Sequence, residues 1–317
     1  MKILVTPTSM QEGKKSNALD KLKEFTSDLV FNPYGRPLTE AELIPLLRDC
    51  DGYIAGVDYI TEKVIKECNK LKIISRYGVG VDRVDLKAAK AKGILVTNTP
   101  GANSVAVAEL AMGLILNVAR RISVLDKKTR DGEWVRSTGI ELGGKTMGIL
   151  GLGAIGKHLA KYAQGFSMKV MAYDPFIDEE YAKVNNIEVA TLDQVISNSD
   201  VISLHLPLNE ETRHLIDEAA INRMKVGAIL VNAARGGIID EYAAYEALKE
   251  GRLGGLGLDA FEVEPPTDSP LFELDNVVVT PHTGAHTKEA TENMAILSVE
   301  NVINVLSGID CKYIVNK

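Results

Sequence analysis

The stretch over 144–156, GKTMGILGLGAIG, constrains this chain more than any other. An apolar run ends at Leu150 and passes through Gly151, Gly153 and Gly156 into 157–166, which has the pattern of a helix. In that order of strand, glycine turn and helix, the first glycine permits the tight turn and the second admits a pyrophosphate close to the backbone. The third lets helix and strand pack closely. Unpaired N–H groups at the helix start, those of Ala154 and Ile155 among them, then face an anion along the helix dipole.

Glycines alone can mark any tight turn, so the next strand has to discriminate. The segment 169–173, KVMAY, is apolar and closes on Asp174, roughly 20 residues past the glycines, where the ribose-binding carboxylate of a dinucleotide site belongs. A carboxylate accepts hydrogen bonds from both ribose hydroxyls. It repels a 2′-phosphate by about 4 kcal/mol at ~4 Å and an effective dielectric near 20, less once solvent screens it. The spacing therefore predicts NAD rather than NADP.

A chain of 317 residues exceeds one ordinary core and predicts two domains. A net charge of −7 without a basic block argues against a nucleic-acid partner. The longest nearly apolar run, 105–119, is interrupted by Glu109 and Asn117 and falls short of the ~18 to 20 residues that span a bilayer, so it reads as a buried helix and not a membrane contact. The opening MKILVTPTS is a strand running into a loop, without the features of a signal peptide. Cys50, Cys68 and Cys311 are scattered and lack metal-ligand spacing, which predicts reduced thiols in a cytoplasmic protein and no metal site.

The first hundred residues read as an α/β unit, with strands over 2–6, 28–31, 52–55, 71–75 and 94–97 and helical patterns such as 16–23 and 61–69 between them. Such alternation predicts a parallel sheet with helices on both faces. After the fourth strand runs RYGVGVD, from Arg76 to Asp82, and loops beyond the carboxyl ends of such strands bind ligands. Glycines there turn N–H groups toward one anion, so Gly78 and Val79, beside Tyr77, are candidates to hold a substrate carboxylate. A long helix follows over 103–125, opened by Asn103 or Ser104 and apolar enough to be buried on several sides, between domains or between subunits. Trp134 and Arg136 lie in the polar loop after it, Trp134 as a packing anchor. Six further strands, over 146–150, 169–173, 200–205, 228–232, 255–259 and 277–280, match two mononucleotide-binding halves, and a last helix over 287–306 can return to the first domain.

Polar residues gather at the carboxyl ends of those strands: His205, Arg235, Asp259, Glu264 and His282. Hydride exchange between a nicotinamide and an alcohol carbon needs a base for the hydroxyl proton and a cation to orient an oxygen anion. His282 suits the first task, because imidazole both takes and returns a proton near neutral pH. Glu264 can bond the far ring nitrogen and fix the tautomer, and Arg235 can grip either a carboxylate or the C2 oxygen through its fork.

With these motifs together, GILGLGAIG, YDP, VNAARGGIID, GLGLDAFEVEPP, TPHTGAHT, RYGVGVDRVD and NTPGANSVAVAEL, nearly the whole chain resembles the D-isomer-specific 2-hydroxyacid dehydrogenases, and within them the phosphoglycerate dehydrogenases. The resemblance implies a doubly wound parallel-sheet Rossmann NAD domain over 100–286. It is inserted into a smaller flavodoxin-like α/β substrate domain made of 1–99 and 287–317, with the site in the cleft between them. It implies a triad of Arg235, Glu264 and His282, with Asp259 near the nicotinamide amide. The implied cofactor contacts extend over Gly151, Gly153, Ala154, Ile155, Gly156, Asp174, His205, Pro207, Thr212 and Ala233, and the carboxylate loop falls at Tyr77, Gly78 and Val79. A homodimer through 103–125 is implied as well. Related formate dehydrogenases carry glutamine where this chain has Glu264, which argues against formate.

The substrate stays open between D-3-phosphoglycerate and an unphosphorylated acid of the hydroxypyruvate and glyoxylate kind. Some phosphoglycerate dehydrogenases carry arginine in the stretch matching 55–57, where this chain has none, and Arg83 stands where asparagine is common. Arg76, Arg83 and Arg136 are the candidate phosphate partners. The chain resembles short relatives without a C-terminal regulatory domain. Co-repressors that resemble the family and sense NAD form a second class; they usually carry terminal extensions for partners, and no low-complexity extension is visible here.

Overall fold

The computed structural model describes residues 1–317, which fold as two compact units, Met1–Asn103 with His286–Lys317, and Ser104–Ala285. In the first unit the chain runs β1 (Ile3–Val5), α1 (Asn17–Phe25), β2 (Leu29–Phe31), α2 (Glu40–Leu47), β3 (Gly52–Ala55), α3 (Glu62–Glu67), β4 (Ile73–Arg76), α4 (Leu86–Ala91) and β5 (Leu95–Thr97). Every residue of β1, β3 and β4 is buried, as expected of parallel strands covered on both faces. The sheet is parallel throughout with the order β2-β1-β3-β4-β5, the flavodoxin-like arrangement.

The second unit begins with α5 (Ser104–Arg120) and α6 (Ile122–Arg130). It continues through β6 (Thr146–Leu150), α7 (Ala154–Gly165), β7 (Lys169–Tyr173), α8 (Glu179–Val184), β8 (Glu188–Val189), α9 (Leu192–Asn198) and β9 (Val201–Leu204). It ends with α10 (Glu218–Arg223), β10 (Ala228–Asn232), α11 (Glu241–Lys249), β11 (Leu253–Leu258) and β12 (Val277–Val279). These seven strands are parallel in the order β12-β11-β10-β9-β6-β7-β8. The order reverses between β6 and β9, and ligands of doubly wound sheets bind beyond the strand ends at such a switch point. One apolar core fills the α5 and α7 face, with Ile115, Met147, Ile149, Leu159 and Val231, and a second fills the other, with Ile196, Leu204, Ile221, Leu230 and Leu256.

The last helix, α12 (Lys288–Leu306), belongs to the first unit. Ala295, Val299 and Val302 pack with Ile3, Val5, Ile54 and Ile73, which covers one face of that sheet. Two carboxylates of α12 reach α1: Glu292 accepts from Ser16 Oγ and Asn17 N–H, both at 3.0 Å, and Glu300 pairs with Lys21 at 2.8 Å. The C-terminal segment then closes the β5 edge, with Val315 N–H on Val96 O and Asn316 bonded to both Val96 N–H and Ile94 O. Covering an edge in this way removes a template for unwanted strand pairing.

Three local expectations change. The helix expected over 103–125 ends at Arg120, because Arg121 adopts φ 55°, a left-handed geometry that breaks the ladder before α6. A two-residue edge strand, β8, extends the second sheet beyond the six strands read from the sequence. Trp134 does not anchor packing within the chain: its surface is 85% exposed. The run over 105–119 does form a helix with most of its apolar side chains buried. No helix is long and apolar enough to cross a membrane.

Candidate active site

The glycine loop lies between β6 and α7 at the switch point. Gly151 has φ 103°, and a Cβ there would stand 2.7 Å from the His205 backbone; one at Gly156 would stand 2.2 Å from Gly151 O. Both positions admit no side chain, so the loops after β6 and β9 close on each other and α7 packs tightly on its strand. A Cβ at Gly153 would meet nothing within 4 Å. Gly153 is also the N-cap of α7 and supplies no side-chain cap, so the first-turn N–H groups, those of Ala154 and Ile155 included, face this open space. An uncapped helix start beside backbone that a Cβ would not crowd fits the pyrophosphate of NAD. Asp174 stands just past β7 and accepts from Leu152 N–H and Phe176 N–H, each at 2.8 Å. Each carboxylate oxygen keeps a second lone pair for a ribose hydroxyl.

The loop after β9 folds on itself. Thr212 Oγ1 donates to Pro207 O at 2.6 Å and accepts from Asn209 N–H at 2.9 Å, so its hydroxyl closes the Pro207–Thr212 turn. The His205 ring contacts Ser203 Oγ through Nε2 at 2.9 Å, while Nδ1 is enclosed without a partner. Burial pushes this imidazole down to about 4, so it is neutral at pH 7. After β10, Asn232 accepts from Ala234 N–H at 3.0 Å and donates to Arg235 O at 2.7 Å. Those bonds fasten the turn that carries Ala233, itself buried, and Arg235. Arg235 Nη1 donates to Ala234 O at 2.7 Å.

Glu264 and His282, 18 positions apart in sequence, meet with Oε1 2.6 Å from Nδ1. Both side chains remain partly open to solvent. The ring's Nε2 is therefore the nitrogen left for a reacting proton. His282 itself has φ 49°, a left-handed conformation that costs free energy for a residue with a Cβ. Asp259 holds that turn in place. It is buried, its Oδ1 accepts from Thr280 Oγ1 and Thr283 N–H at 2.7 Å each, and its Oδ2 accepts from Gly284 N–H at 2.8 Å. Expected beside the nicotinamide amide, Asp259 thus spends both oxygens on the segment that presents His282. Gly236, next to Arg235, lies so close to the Glu264 loop that a Cβ would fall 1.8 Å from Phe261 O. That contact packs the Arg235 turn directly against the strand exit leading to Glu264.

In the first unit, the loop after β4 turns its carbonyls inward. Gly78 O accepts from Thr99 N–H at 3.0 Å, Val79 O from Asn98 Nδ2 at 2.8 Å and Gly80 O from Arg76 Nε at 3.1 Å. The N–H groups of Val79 and Gly80 are left without internal acceptors. The expected pair shifts by one residue: Gly78 N–H donates to Thr99 Oγ1 at 3.0 Å, so Gly78 shapes the loop and Val79 and Gly80 present the open donors. Tyr77 is committed too, its hydroxyl accepting from Ser9 Oγ and donating to Thr291 O. Arg76 is buried and braces the loop, with Nη1 on Ala55 O at 2.8 Å. Arg83 donates to Val57 O at 2.8 Å and lies 4.8 Å from the Tyr59 ring centre, at the loop after β3. Arg136 is exposed in the segment after α6.

Comparison with known proteins identifies the family. The family model described as "D-isomer specific 2-hydroxyacid dehydrogenase, NAD binding domain" matches residues 112–284. The D-3-phosphoglycerate dehydrogenase of Methanocaldococcus jannaschii is 46% identical over 283 residues, 88% of this chain but 54% of that protein, so the chain spans about half the length of that relative. The hydroxypyruvate reductase of Thermotoga maritima is 46% identical over 275 residues, 85% of this chain and 89% of its own. A crystal structure of D-lactate dehydrogenase from Aquifex aeolicus, complexed with NAD and lactic acid, superimposes with a TM-score of 0.84 at 32% identity and covers 96% of each chain.

Proposed function

The chain belongs to the D-isomer specific 2-hydroxyacid dehydrogenases, and on that premise we propose that it interconverts a D-2-hydroxy acid and its 2-keto acid. NAD, when bound, supplies the hydride acceptor. The observation that carries this reading is the 2.6 Å contact between Glu264 Oε1 and His282 Nδ1, on a turn that Asp259 fastens from behind. His282 Nε2 takes the hydroxyl proton in oxidation and returns it in reduction. Glu264 holds the Nδ1 proton and stabilises the imidazolium. Arg235 orients the carboxylate or the C2 oxygen of the acid through its fork. His282→Ala should lower kcat by about 10² to 10⁴ in NADH oxidation with a 2-keto acid. Near-normal kcat would remove His282 as the base.

For the substrate, the reading is D-3-phosphoglycerate and 3-phosphohydroxypyruvate. Arg83 supports it: although 55–57 holds no arginine, the Arg83 guanidinium lies against Val57 O. The competing reading is reduction of hydroxypyruvate or glyoxylate, favoured by the same lack of arginine within 55–57. NADH oxidation with phosphohydroxypyruvate, hydroxypyruvate, glyoxylate and pyruvate in parallel separates them. Preference for the phosphorylated acid, lost in Arg83→Ala, supports the first; preference for an unphosphorylated acid, unchanged in Arg83→Ala, supports the second. A homodimer through 103–125 is part of the proposal, supported by exposed Val105 and Ile122. Sedimentation equilibrium at the monomer mass would refute it.

A further inference from the structure

The segment from Phe261 to Glu264 leaves β11 with no regular structure, yet it must deliver the Glu264 carboxylate to His282 within a few tenths of an ångström. Two contacts grip it. On one side Gly236 packs on the Phe261 carbonyl. On the other side stands the first residue of α11: Glu262 N–H donates to Glu241 Oε1 at 2.6 Å, and Glu241 N–H donates back to Glu262 Oε1 at 3.2 Å. The Glu262 carboxylate also faces His214 Nε2 at 3.2 Å. Each of two neighbouring backbones is thus tied to the other's side chain, and one of them lies two residues before Glu264.

Resting on the assignment of His282 as the base, we propose that Glu241 is a positioning residue, whose side chain fixes the loop that aims Glu264 at His282. An acidic residue at the start of a helix ordinarily complements the dipole from solvent. Glu241 instead turns across to a separate segment and accepts a short hydrogen bond from its main chain. Burial, with the nearby charges of Glu262 and Glu264, pushes its carboxyl above the ordinary range, against the lowering effect of the Glu262 N–H bond. What the loop requires of Glu241 is an acceptor at the right reach, rather than a charge.

That requirement makes an unusual ranking. Glu241→Gln retains the acceptor and the length; Glu241→Asp retains the charge but is one methylene short; Glu241→Ala loses both. In steady-state NADH oxidation with the best substrate among phosphohydroxypyruvate, hydroxypyruvate and glyoxylate, Ala and Asp should each lower kcat about tenfold or more. KM for NADH should stay within about twofold and Gln should remain near wild type, because a misaimed catalytic pair costs rate rather than cofactor affinity. Melting curves identify a variant that does not fold; if Ala is one, the comparison of Asp with Gln decides. Asp at the wild-type rate, or Gln as slow as Ala, would overturn the proposal. A His282→Ala control keeps the two claims apart: turnover retained there refutes the base assignment, whereas an inactive His282→Ala beside fully active Ala and Asp variants of Glu241 refutes only the clamp.

Discussion

Gly236→Ala should damage catalysis by forcing apart the Arg235 turn and the segment that leads to Glu264. The added Cβ would fall 1.8 Å from Phe261 O, 2.0 Å from Phe261 C and 2.6 Å from Glu262 N, all of them main-chain atoms with no rotamer to escape into. Ordinary contact begins near 3.4 Å, so the two segments must separate by about 1.5 Å to restore van der Waals distance. Overpacking of that kind costs about 1 to 3 kcal/mol, which for a domain of this size lowers Tm by roughly 3 to 10 °C. The displaced segment leads directly to Glu264, whose 2.6 Å bond to His282 tolerates no such shift. A misplacement near 1 Å costs on the order of 10² in rate, and that loss should fall in kcat. The assay is steady-state NADH oxidation at saturating keto acid beside a thermal melt. A variant with kcat within about threefold of wild type would show that the Gly236 contact does not govern the Glu264–His282 geometry.

Three other substitutions test the cofactor side and the half-buried His205. Gly153→Ala meets nothing within 4 Å, so Tm should hold while KM for NADH rises, by about tenfold or more if the methyl occupies the pyrophosphate cradle; unchanged KM would remove the cradle. Asp174→Ala should raise KM for NADH and narrow the preference over NADPH, and it should also cost about 1 to 3 kcal/mol because Leu152 and Phe176 N–H groups lose their acceptor; a wild-type ratio of the two cofactors would refute the assignment. For His205, the unfolded chain takes up a proton near 6.5 that the native state refuses until about 4. Stability is therefore full above about pH 6.5 and falls toward pH 4, by on the order of 2 to 3 kcal/mol, and His205→Asn should flatten the fall of Tm across that window. A parallel pH course in the two proteins would refute it.

The glycine turn and the place of Asp174 were legible because their constraints are local. Gly151, Gly153 and Gly156 occur in one turn, and Asp174 follows at the end of the next strand, so chain order alone carries their relation. Elements defined by long-range contact were not legible. The need for glycine at Gly236 comes from Phe261, on another strand's exit, and the shift of the open donors from Gly78 and Val79 to Val79 and Gly80 comes from Thr99, two residues past β5. The break at Arg121 carries no glycine or proline to announce it, and β8 is two residues at a sheet edge, with the charged Glu188 as one of them. Glu241 was hidden for the opposite reason. A glutamate at a helix start fits an ordinary rule so well that nothing marks it for a second task.

The carboxylates around His282 divide the work of aiming one ring. Its direction depends on the backbone that carries it and on rotation about its side-chain bonds, and each has its own control. Asp259 controls the first: by accepting from Thr280, Thr283 and Gly284 it holds both flanks of a left-handed turn that His282 would not adopt unaided. Glu264 controls the second through Nδ1. An amide at 259 could not do the same work, because in either orientation its NH₂ group would face a main-chain N–H, that of Thr283 or that of Gly284. Glu264 can remain partly open to solvent because its partner needs a charge-stabilising acceptor, whereas Asp259 is buried because its donors belong to the main chain and the turn. The two acids are therefore not interchangeable: one sets where the imidazole stands, the other which nitrogen it offers.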